Sequence, residues 1–173
     1  MSDTPPGEVT RNLRDGVLYI QDDGDNELEI NLDEGDVNIK WSVEDRLVND
    51  RGALSHFRAG DEVPTDVSFS AKVSKITADD TAKGGTDTTP SVYEALMRLG
   101  LAAGWATTGY DGEPYLCTLV FKIANPDPTG RMEVITCGKF RASAPEFAEG
   151  EENDTLSFTG RGRLAPVFTY EAQ

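Results

Sequence analysis

The segment from Arg131 to Arg163 reads RMEVITCGKFRASAPEFAEGEENDTLSFTGRGR, and it sets two alternating patterns around an acidic, proline-marked connection. Apolar side chains recur among polar ones at Met132, Val134, Phe140, Leu156 and Phe158. A period of two exposes one face of a strand to a core and the other face to water. The segment therefore predicts antiparallel β-sheet, and it contains no catalytic motif.

Length and charge narrow the class of protein further. The 173 residues suit one domain, since domains commonly hold ~100 to 200 residues. The 16 basic and 31 acidic residues leave a net charge of −15, which argues against a surface that grips nucleic acid phosphates or anionic lipid. No apolar run approaches the ~18 to 20 residues needed to cross a bilayer, and the start, MSDTPPGEV, lacks the order of a signal peptide. We expect a protein made in the cytoplasm, without a membrane anchor.

The remaining chain is predicted to add strands around this segment. Residues 1–16 are polar and carry Pro5, Pro6 and Gly7, which predicts a flexible arm before a single β-domain over residues 17–170. Strands are expected at Val17 to Ile20, Leu28 to Leu32, Val37 to Val43, Val63 to Val73 and Tyr115 to Ile123. Residues 44–62 alternate poorly and carry charges of both signs, so they predict a long projecting connection.

One helix is predicted, over residues 89–100, TPSVYEALMRLG. Either Thr89 or Ser91 can cap its N-terminus, and Ser91 would form a capping box with Glu94. Glu94 and Arg98 have the spacing of a helical ion pair. The apolar stripe that faces the sheet is expected to consist of Val92, Leu96 and Leu99.

Catalytic and metal-binding patterns are weak. His56 has no spaced partner for a zinc site, and no serine lies in a nucleophile elbow, so we predict no enzyme, no cofactor and no metal. Residues 22–36 place Asp23, Asp25, Glu27 and Glu34 at calcium-loop positions, but Leu28 stands where the loop requires glycine. These carboxylates fit a solvated hairpin, and they could also line a passage for a polyanion.

The two cysteines, Cys117 and Cys137, fall on neighbouring strand patterns. If Ile123 faces Met132 across the hairpin, the thiols point to opposite faces, whereas a shift of one residue brings them to the same face. The spacing is not that of a redox or zinc motif, so both cysteines are expected to be buried and reduced.

The order of these segments resembles the tail tube, or major tail, proteins of long-tailed bacteriophages. The most specific parts are DRG followed by RAGDEVPTDVSF, and SAPEFAEGEENDTLSFTGRG, within a likeness that spans about residues 17–168. The resemblance implies a mainly β fold, an antiparallel sandwich or barrel with one flanking α-helix. It also implies a structural virion protein of the tail, in which six copies close into a ring and rings stack around a lumen that carries DNA.

The resemblance also assigns roles to two sets of residues. The loop that would stack on the adjacent ring contains Asp50, Arg51, Gly52, His56, Phe57, Arg58 and Asp61. The candidate acidic residues of the lumen are Asp22, Asp23, Asp25, Glu27 and Glu29, followed by Glu146 and Glu149. The implied partners are further copies of the chain, other tail proteins at the tube ends, and DNA that passes without specific binding.

Other functions remain open at this point. Another ring-forming virion part, such as a tail terminator or a head decoration protein, would use a similar small β-domain. A calcium-dependent or carbohydrate-binding β-module is suggested by the acidic segment together with Trp41, Trp105 and Tyr110. An enzyme is the third possibility, because two catalytic carboxyls can come from distant strands.

Overall fold

The structure is a computed structural model, and it describes residues 16–30, 32, 37–42, 44–50, 53–59, 63–73, 78, 85–123, 131–149 and 154–172. The strands are β1 Gly16–Gln21, β2 Glu27–Ile30, β3 Asn38–Lys40, β4 Asp45–Asp50, β5 Ala53–Ala59, β6 Thr65–Lys72, β7 Cys117–Ile123, β8 Arg131–Ala148, β9 Thr155–Gly162 and β10 Val167–Ala172. One α-helix, α1 Val92–Met97, is followed by a 3₁₀ turn, Gly100–Ala102. The mainly β fold is thereby confirmed. The predicted arm lies outside the described residues except for Gly16.

Eight of the strands form one antiparallel sheet in the order β2-β1-β7-β8-β9-β6-β3, with β10 paired to β8. Leu32 follows β2 by two residues and bridges Ala71 in β6. This bridge connects the β2 end of the sheet to β6, so the sheet closes on itself as a barrel. The consecutive strands β7 and β8 form the hairpin that the sequence predicts across residues 124–131.

The long strand β8 joins the two halves of the barrel. Its 18 residues pair with β7 over the first half and with β9 over the second. The two halves meet at a bulge, because Leu119 pairs with Cys137 whereas Cys117 pairs with Phe140. Lys139 lies in this bulge with a positive φ of 54°. A bulge bends the strand that carries the extra residue, which allows one strand to serve both halves of the barrel.

The barrel interior holds one apolar cluster to which most strands contribute. Its largest fully buried side chains include Phe69, Phe140, Phe158, Leu18, Ile20, Ile30 and Leu119. The rings of Phe69 and Phe158 lie 5.4 Å apart between centroids. Burial of each such side chain stabilises the fold by roughly 1.5 to 3 kcal/mol, so this cluster is the main source of stability.

Both cysteines belong to this cluster. Ile123 pairs with Glu133, one residue away from the Met132 register, and this shift puts both thiols in the interior. Cys117 and Cys137 are free and buried, as expected from the sequence. Burial raises the pKa of the Cys117 thiol to about 12 and that of Cys137 to about 11, because a buried thiolate loses its hydration.

The helix α1 lies within the predicted segment but is shorter. Ser91 is its cap, and the capping box with Glu94 forms as predicted. The buried face consists of Glu94, Ala95 and Leu96, whereas Leu99 is exposed because Arg98 ends the helix in the left-handed conformation. Glu94 accepts hydrogen bonds from the backbone N–H groups of Ser91 and Ala78, and Arg98 lies over the ring of Tyr115.

The segment predicted as a long connection, residues 44–62, contains a second small sheet. Strands β4 and β5 form an antiparallel hairpin with a register shift after Val48. The pair is not part of the eight-stranded sheet. The pairing of β4 with β5 is a contact between backbones, so the poor alternation of apolar and polar residues did not reveal it.

Candidate functional site

Strand β10 is paired on one edge only and is exposed along its whole length. It pairs with the first half of β8, from Val167 opposite Thr136 to Ala172 opposite Arg131. All six of its residues are exposed, and no strand among the described residues pairs with its other edge. An unpaired strand edge presents free backbone donors and acceptors to another chain. β10 is therefore a candidate site of association.

The side chains of β10 strengthen this assignment. Phe168 lies opposite Ile135, which in turn lies opposite the core residue Phe121. Directly paired residues share a face of the sheet, so Phe168 and Tyr170 continue the core-facing side. They are nevertheless 55% and 65% exposed. In the described part of the chain, the one ring contact to them is that of the exposed Trp41, whose ring centroid lies 5.4 Å from that of Phe168.

Strand β10 was not predicted from the sequence. The signal was present, since Val167, Phe168, Thr169 and Tyr170 are all strong strand formers and follow Pro166. Nothing in the sequence shows that this strand lies beside β9 on the same edge of β8. The exposure of its aromatic residues follows from that position.

A second open edge lies on the other half of β8. The β7 pairing ends at Phe140, whereas the β9 pairing continues to Ala148. Within the described residues, the β8 edge opposite β9 has no strand partner beyond Phe140. The free edge of β10 and this part of β8 are thus two different surfaces, which is the arrangement needed for contacts that are not symmetric between two copies.

Four residues of the predicted stacking loop lie on the β4–β5 hairpin. Asp50 ends β4, opposite Ala53, and His56 lies opposite Val48. Phe57 pairs with Leu47, and Arg58 pairs with Arg46. Arg51, Gly52 and Asp61 lie outside the described residues. The hairpin brings Asp50, His56, Phe57 and Arg58 into one element. Their assignment to stacking stays a prediction.

Among the candidate lumen residues, Asp22 differs from the others because it is buried, with 7% of its surface exposed. Its Oδ1 accepts hydrogen bonds from the N–H groups of Gly24 and Asn26, at 2.9 and 3.1 Å. Its Oδ2 accepts from Asn26 Nδ2 at 2.7 Å and from the N–H of Ala106 at 2.9 Å. Asp22 therefore holds the β1–β2 turn against the segment after α1, and its carboxylate is not available to a passage.

The pKa of Asp22 is lowered by these contacts. Burial acts to raise the pKa, but the hydrogen bonds from the Asn26 side chain and from the N–H groups of Ala106, Asn26 and Gly24 outweigh it. Hydrogen bonds to a carboxylate favour its charged form. Asp22 is thus ionised in the folded protein at neutral pH and stabilises the turn in that form.

The other candidate lumen carboxylates are exposed in the single subunit: Asp23, Asp25, Glu27, Glu29, Glu146 and Glu149. The first four lie on the β1–β2 hairpin, and the last two lie at the far end of β8. The two groups lie on strands that are not neighbours in the sheet, since β1 and β7 separate β2 from β8.

A small basic cluster lies at the bulge of β8, formed by Tyr110, Glu113, Lys139 and Arg163. Lys139 Nζ lies 3.6 Å from the centroid of the Tyr110 ring, and the Arg163 guanidinium carbon lies 5.3 Å from it. Arg163 also forms a 2.8 Å ion pair with Glu113, whose carboxylate accepts the N–H of Tyr110. A hydrogen bond and the positive charge of Lys139, and then the charge of Arg163, lower the pKa of Tyr110. This contact to Lys139 was not predicted from the sequence.

Two of the aromatic residues that suggest carbohydrate binding do not form a common platform. Trp105 is buried in the core cluster, whereas Trp41 is exposed beside Phe168. Within the described residues, no three His, Cys, Asp or Glu side chains converge closely enough to hold a metal ion. In the same part of the chain, no helix has the length and apolar character needed to span a membrane.

Comparisons with known proteins give no match among family models and no match among curated sequences. Solved structures do match. A chain of the sheath–tube complex of the PVC extracellular contractile injection system, in its extended state, superposes with a TM-score of 0.56 at 8% identity, covering 95% of this chain and 94% of the other. A chain from the tube-terminating cap of the anti-feeding prophage gives a TM-score of 0.56 at 9% identity, with 98% and 95% covered.

The tail tube of SPP1 matches as well, with a TM-score of 0.52 at 9% identity, covering 94% of this chain and 81% of the other. Each likeness extends over nearly the whole chain, so it describes the complete barrel. At this level of identity the matches show the fold. The resemblance to tail tube proteins seen in the sequence is confirmed at that level.

Proposed function

We propose that this protein is a structural subunit, not an enzyme, which polymerises as stacked hexameric rings into a phage tail tube, the conduit for DNA ejection. The observation that carries the proposal is β10, an exposed edge strand whose aromatic side chains lie on the core-facing side and are more than half exposed. Its location would be the tail of the virion. Its partners would be further copies of itself and other tail proteins at the tube ends.

The two open edges support ring formation. A contact between β10 of one copy and the free β8 edge of the next joins two different surfaces, and such a contact can close into a ring. Strand pairing across the junction satisfies the backbone groups of both edges. A neighbouring subunit would also cover Phe168 and Tyr170, and aromatic residues are common in the buried centre of subunit interfaces.

Two further parts of the chain have roles in this proposal. The β4–β5 hairpin would extend to the adjacent ring, with Asp50, His56, Phe57 and Arg58 on its strands. The exposed carboxylates Asp23, Asp25, Glu27 and Glu29 would line the lumen, where negative charge keeps DNA phosphates from adhering to the wall. DNA would pass through the lumen without specific binding.

A terminator that caps the tube is the second candidate function. It is favoured by the match to a chain of a tube-terminating cap, which is as good as the match to the sheath–tube complex. A terminator would form a single ring, whereas a tube protein forms a stack of rings. Ring number therefore separates the two functions.

The test is negative-stain electron microscopy of the full chain over a concentration series, together with size-exclusion chromatography and light scattering. Hollow stacked rings are the expected result. Single rings that do not stack at any concentration would favour the terminator. A protein that remains monomeric at all concentrations, and also in the presence of preformed tail tips as initiators, would contradict both functions.

A further inference from the structure

The hairpin of β8 and β9 carries opposite charges at its two ends. Its base, where Phe140 pairs with Gly162, lies beside the basic cluster of Tyr110, Lys139 and Arg163. Its far end, where Ala148 pairs with Thr155, lies beside Glu146 and Glu149. With ~3.3 Å per residue, the two ends are roughly 25 Å apart. They therefore cannot contact each other within one subunit.

Both ends also carry exposed apolar side chains. Phe147 lies between the two glutamates and is 47% exposed, although its partner Leu156 is buried. At the base, Tyr110 is 64% exposed, and the exposed side chain of Leu164 lies close to Gly138. An aromatic residue with charges beside it is typical of the residues that dominate binding energy at interfaces. Each end thus has an apolar anchor and a charge opposite to that of the other end.

The backbone at the base is held in an uncommon conformation. Lys139 is not glycine, yet it has a positive φ of 54° in the bulge. Its carbonyl oxygen accepts the N–H of Arg163 at 3.2 Å, which holds the backbones of the two residues side by side. A non-glycine residue with positive φ is uncommon, and such residues cluster at functional sites. The bulge places the ammonium group over the Tyr110 ring.

The charge of this cluster is unusual for the chain. Lys139 and Arg163 against Glu113 leave one excess positive charge, in a chain whose net charge is −15. A second copy is therefore an acidic partner by composition.

From these observations we infer that the Tyr110–Lys139–Arg163 cluster of one copy binds the Glu146–Phe147–Glu149 end of the β8–β9 hairpin of a second copy. This contact rests on the proposed assembly of copies and adds a specific junction to it. Phe147 would pack on Tyr110 and Leu164, while Glu146 and Glu149 would pair with Lys139 and Arg163. The contact joins two different surfaces, so it can be repeated from copy to copy.

The experiment is a charge exchange in the full-length protein. One variant carries Glu146→Lys and Glu149→Lys, and the other carries Lys139→Glu and Arg163→Glu. Association is measured by light scattering after size-exclusion chromatography and by electron microscopy. Each variant is expected to need an at least ten-fold higher concentration than the natural sequence to associate, because attraction becomes repulsion. A 1:1 mixture of the two variants, and the chain with all four changes, should recover association.

A matched control is Arg131→Glu, which reverses a charge on the same strand, away from both ends of the hairpin. It should associate like the natural sequence. Circular dichroism and thermal unfolding of every variant show whether it is folded, and recovery in the mixture also demonstrates folded partners.

The outcomes separate this contact from the proposed function. If the natural protein forms tubes and both variants form them equally well, the contact is wrong and the tube stands. If folded variants lose association and the mixture does not recover it, the cluster has another partner and the contact is also wrong. Charge-dependent association into assemblies other than rings would support the contact and contradict the tube.

Discussion

Strands β9 and β10 pair with successive parts of the same edge of β8, yet one belongs to the core and the other does not. In β9 the side chains Leu156 and Phe158 point inward and are buried, and Phe158 packs on Phe69. In β10 the side chains Phe168 and Tyr170 occupy the same side of the sheet and are mostly exposed. The difference arises because the apolar face of β9 packs in the core cluster, whereas the described chain provides no such cover for β10.

This comparison shows that pairing and burial are separate properties of a strand. Backbone pairing with β8 places both strands in the sheet, but stability comes from what lies against their apolar face. A strand that is paired and uncovered is available to a second copy. The following predictions test this difference, in order of decreasing effect on the free energy of unfolding.

The largest effect is expected for Phe158→Ala in β9. Removal of a fully buried ring leaves a cavity beside Phe69, so the free energy of unfolding should fall by about 3 to 5 kcal/mol. Chemical denaturation of the dilute protein measures this loss. A loss below about 1 kcal/mol would mean that β9 is no better covered than β10, and the comparison would fail.

The second effect concerns the turn between β1 and β2. Asp22→Asn replaces Oδ2 by a donor that faces the N–H of Ala106 and the amide of Asn26. The free energy of unfolding should fall by about 1 to 3 kcal/mol, because buried donors lose their acceptor. Chemical denaturation at neutral pH checks this, with Asp23→Asn as the exposed control.

The stability difference between the natural protein and Asp22→Asn is also expected to depend on pH. The pKa of Asp22 is lowered in the folded state, so its contribution is complete above the ordinary aspartate pKa and is lost as pH falls through the folded pKa. The stability difference between the natural protein and Asp22→Asn should therefore shrink with acidification below the ordinary pKa. A difference that stays constant over that range would contradict the ionised role of Asp22.

The third prediction is the counterpart of the first in β10. Phe168→Ala should change the free energy of unfolding of the dilute subunit by less than about 1 kcal/mol, because the ring is more than half exposed. Association should weaken at least ten-fold, since a central aromatic anchor at an interface contributes about 1.4 kcal/mol or more. Light scattering over a dilution series measures it. Equal effects of Phe168→Ala and Phe158→Ala on unfolding would show that β10 is part of the core.

The smallest effect is expected for Glu171→Gln, also in β10. This change removes the ion pair with Lys122, whose Nζ lies 3.3 Å from Glu171 Oε2. Both side chains are partly exposed, and surface ion pairs contribute about 0 to 1 kcal/mol. Unfolding should therefore be nearly unchanged at physiological salt. A loss comparable to that of Asp22→Asn would mean that the end of β10 is anchored by charge.

The sequence predicted the strands that alternate clearly. Leu28 and Ile30 in β2, and Cys117, Leu119, Phe121 and Ile123 in β7, point inward as their period of two indicates. The capping box of Ser91 and Glu94 was also predicted, because it depends only on two residues three positions apart. Such local patterns are visible without knowledge of the fold.

What depends on distant contacts could not be predicted. The bulge at Lys139 and the use of β8 by both halves of the barrel follow from pairings far apart in sequence. The burial of Asp22 needs the N–H of Ala106, 84 residues away, so the carboxylate could not be separated from its exposed neighbours. The exposure of the β10 side chains likewise follows from the place of this strand in the sheet and not from its amino-acid composition.

The continuity of β8 has a mechanical consequence. Its 18 residues are held by β7 and β10 on the two edges of the first half and by β9 on one edge of the second. In antiparallel pairs the hydrogen bonds lie perpendicular to the strands, so a pull along β8 loads many of them at once in shear. Tension applied at one end of the barrel is thereby carried through a single covalent strand to the other, without relying on the short turns between strands.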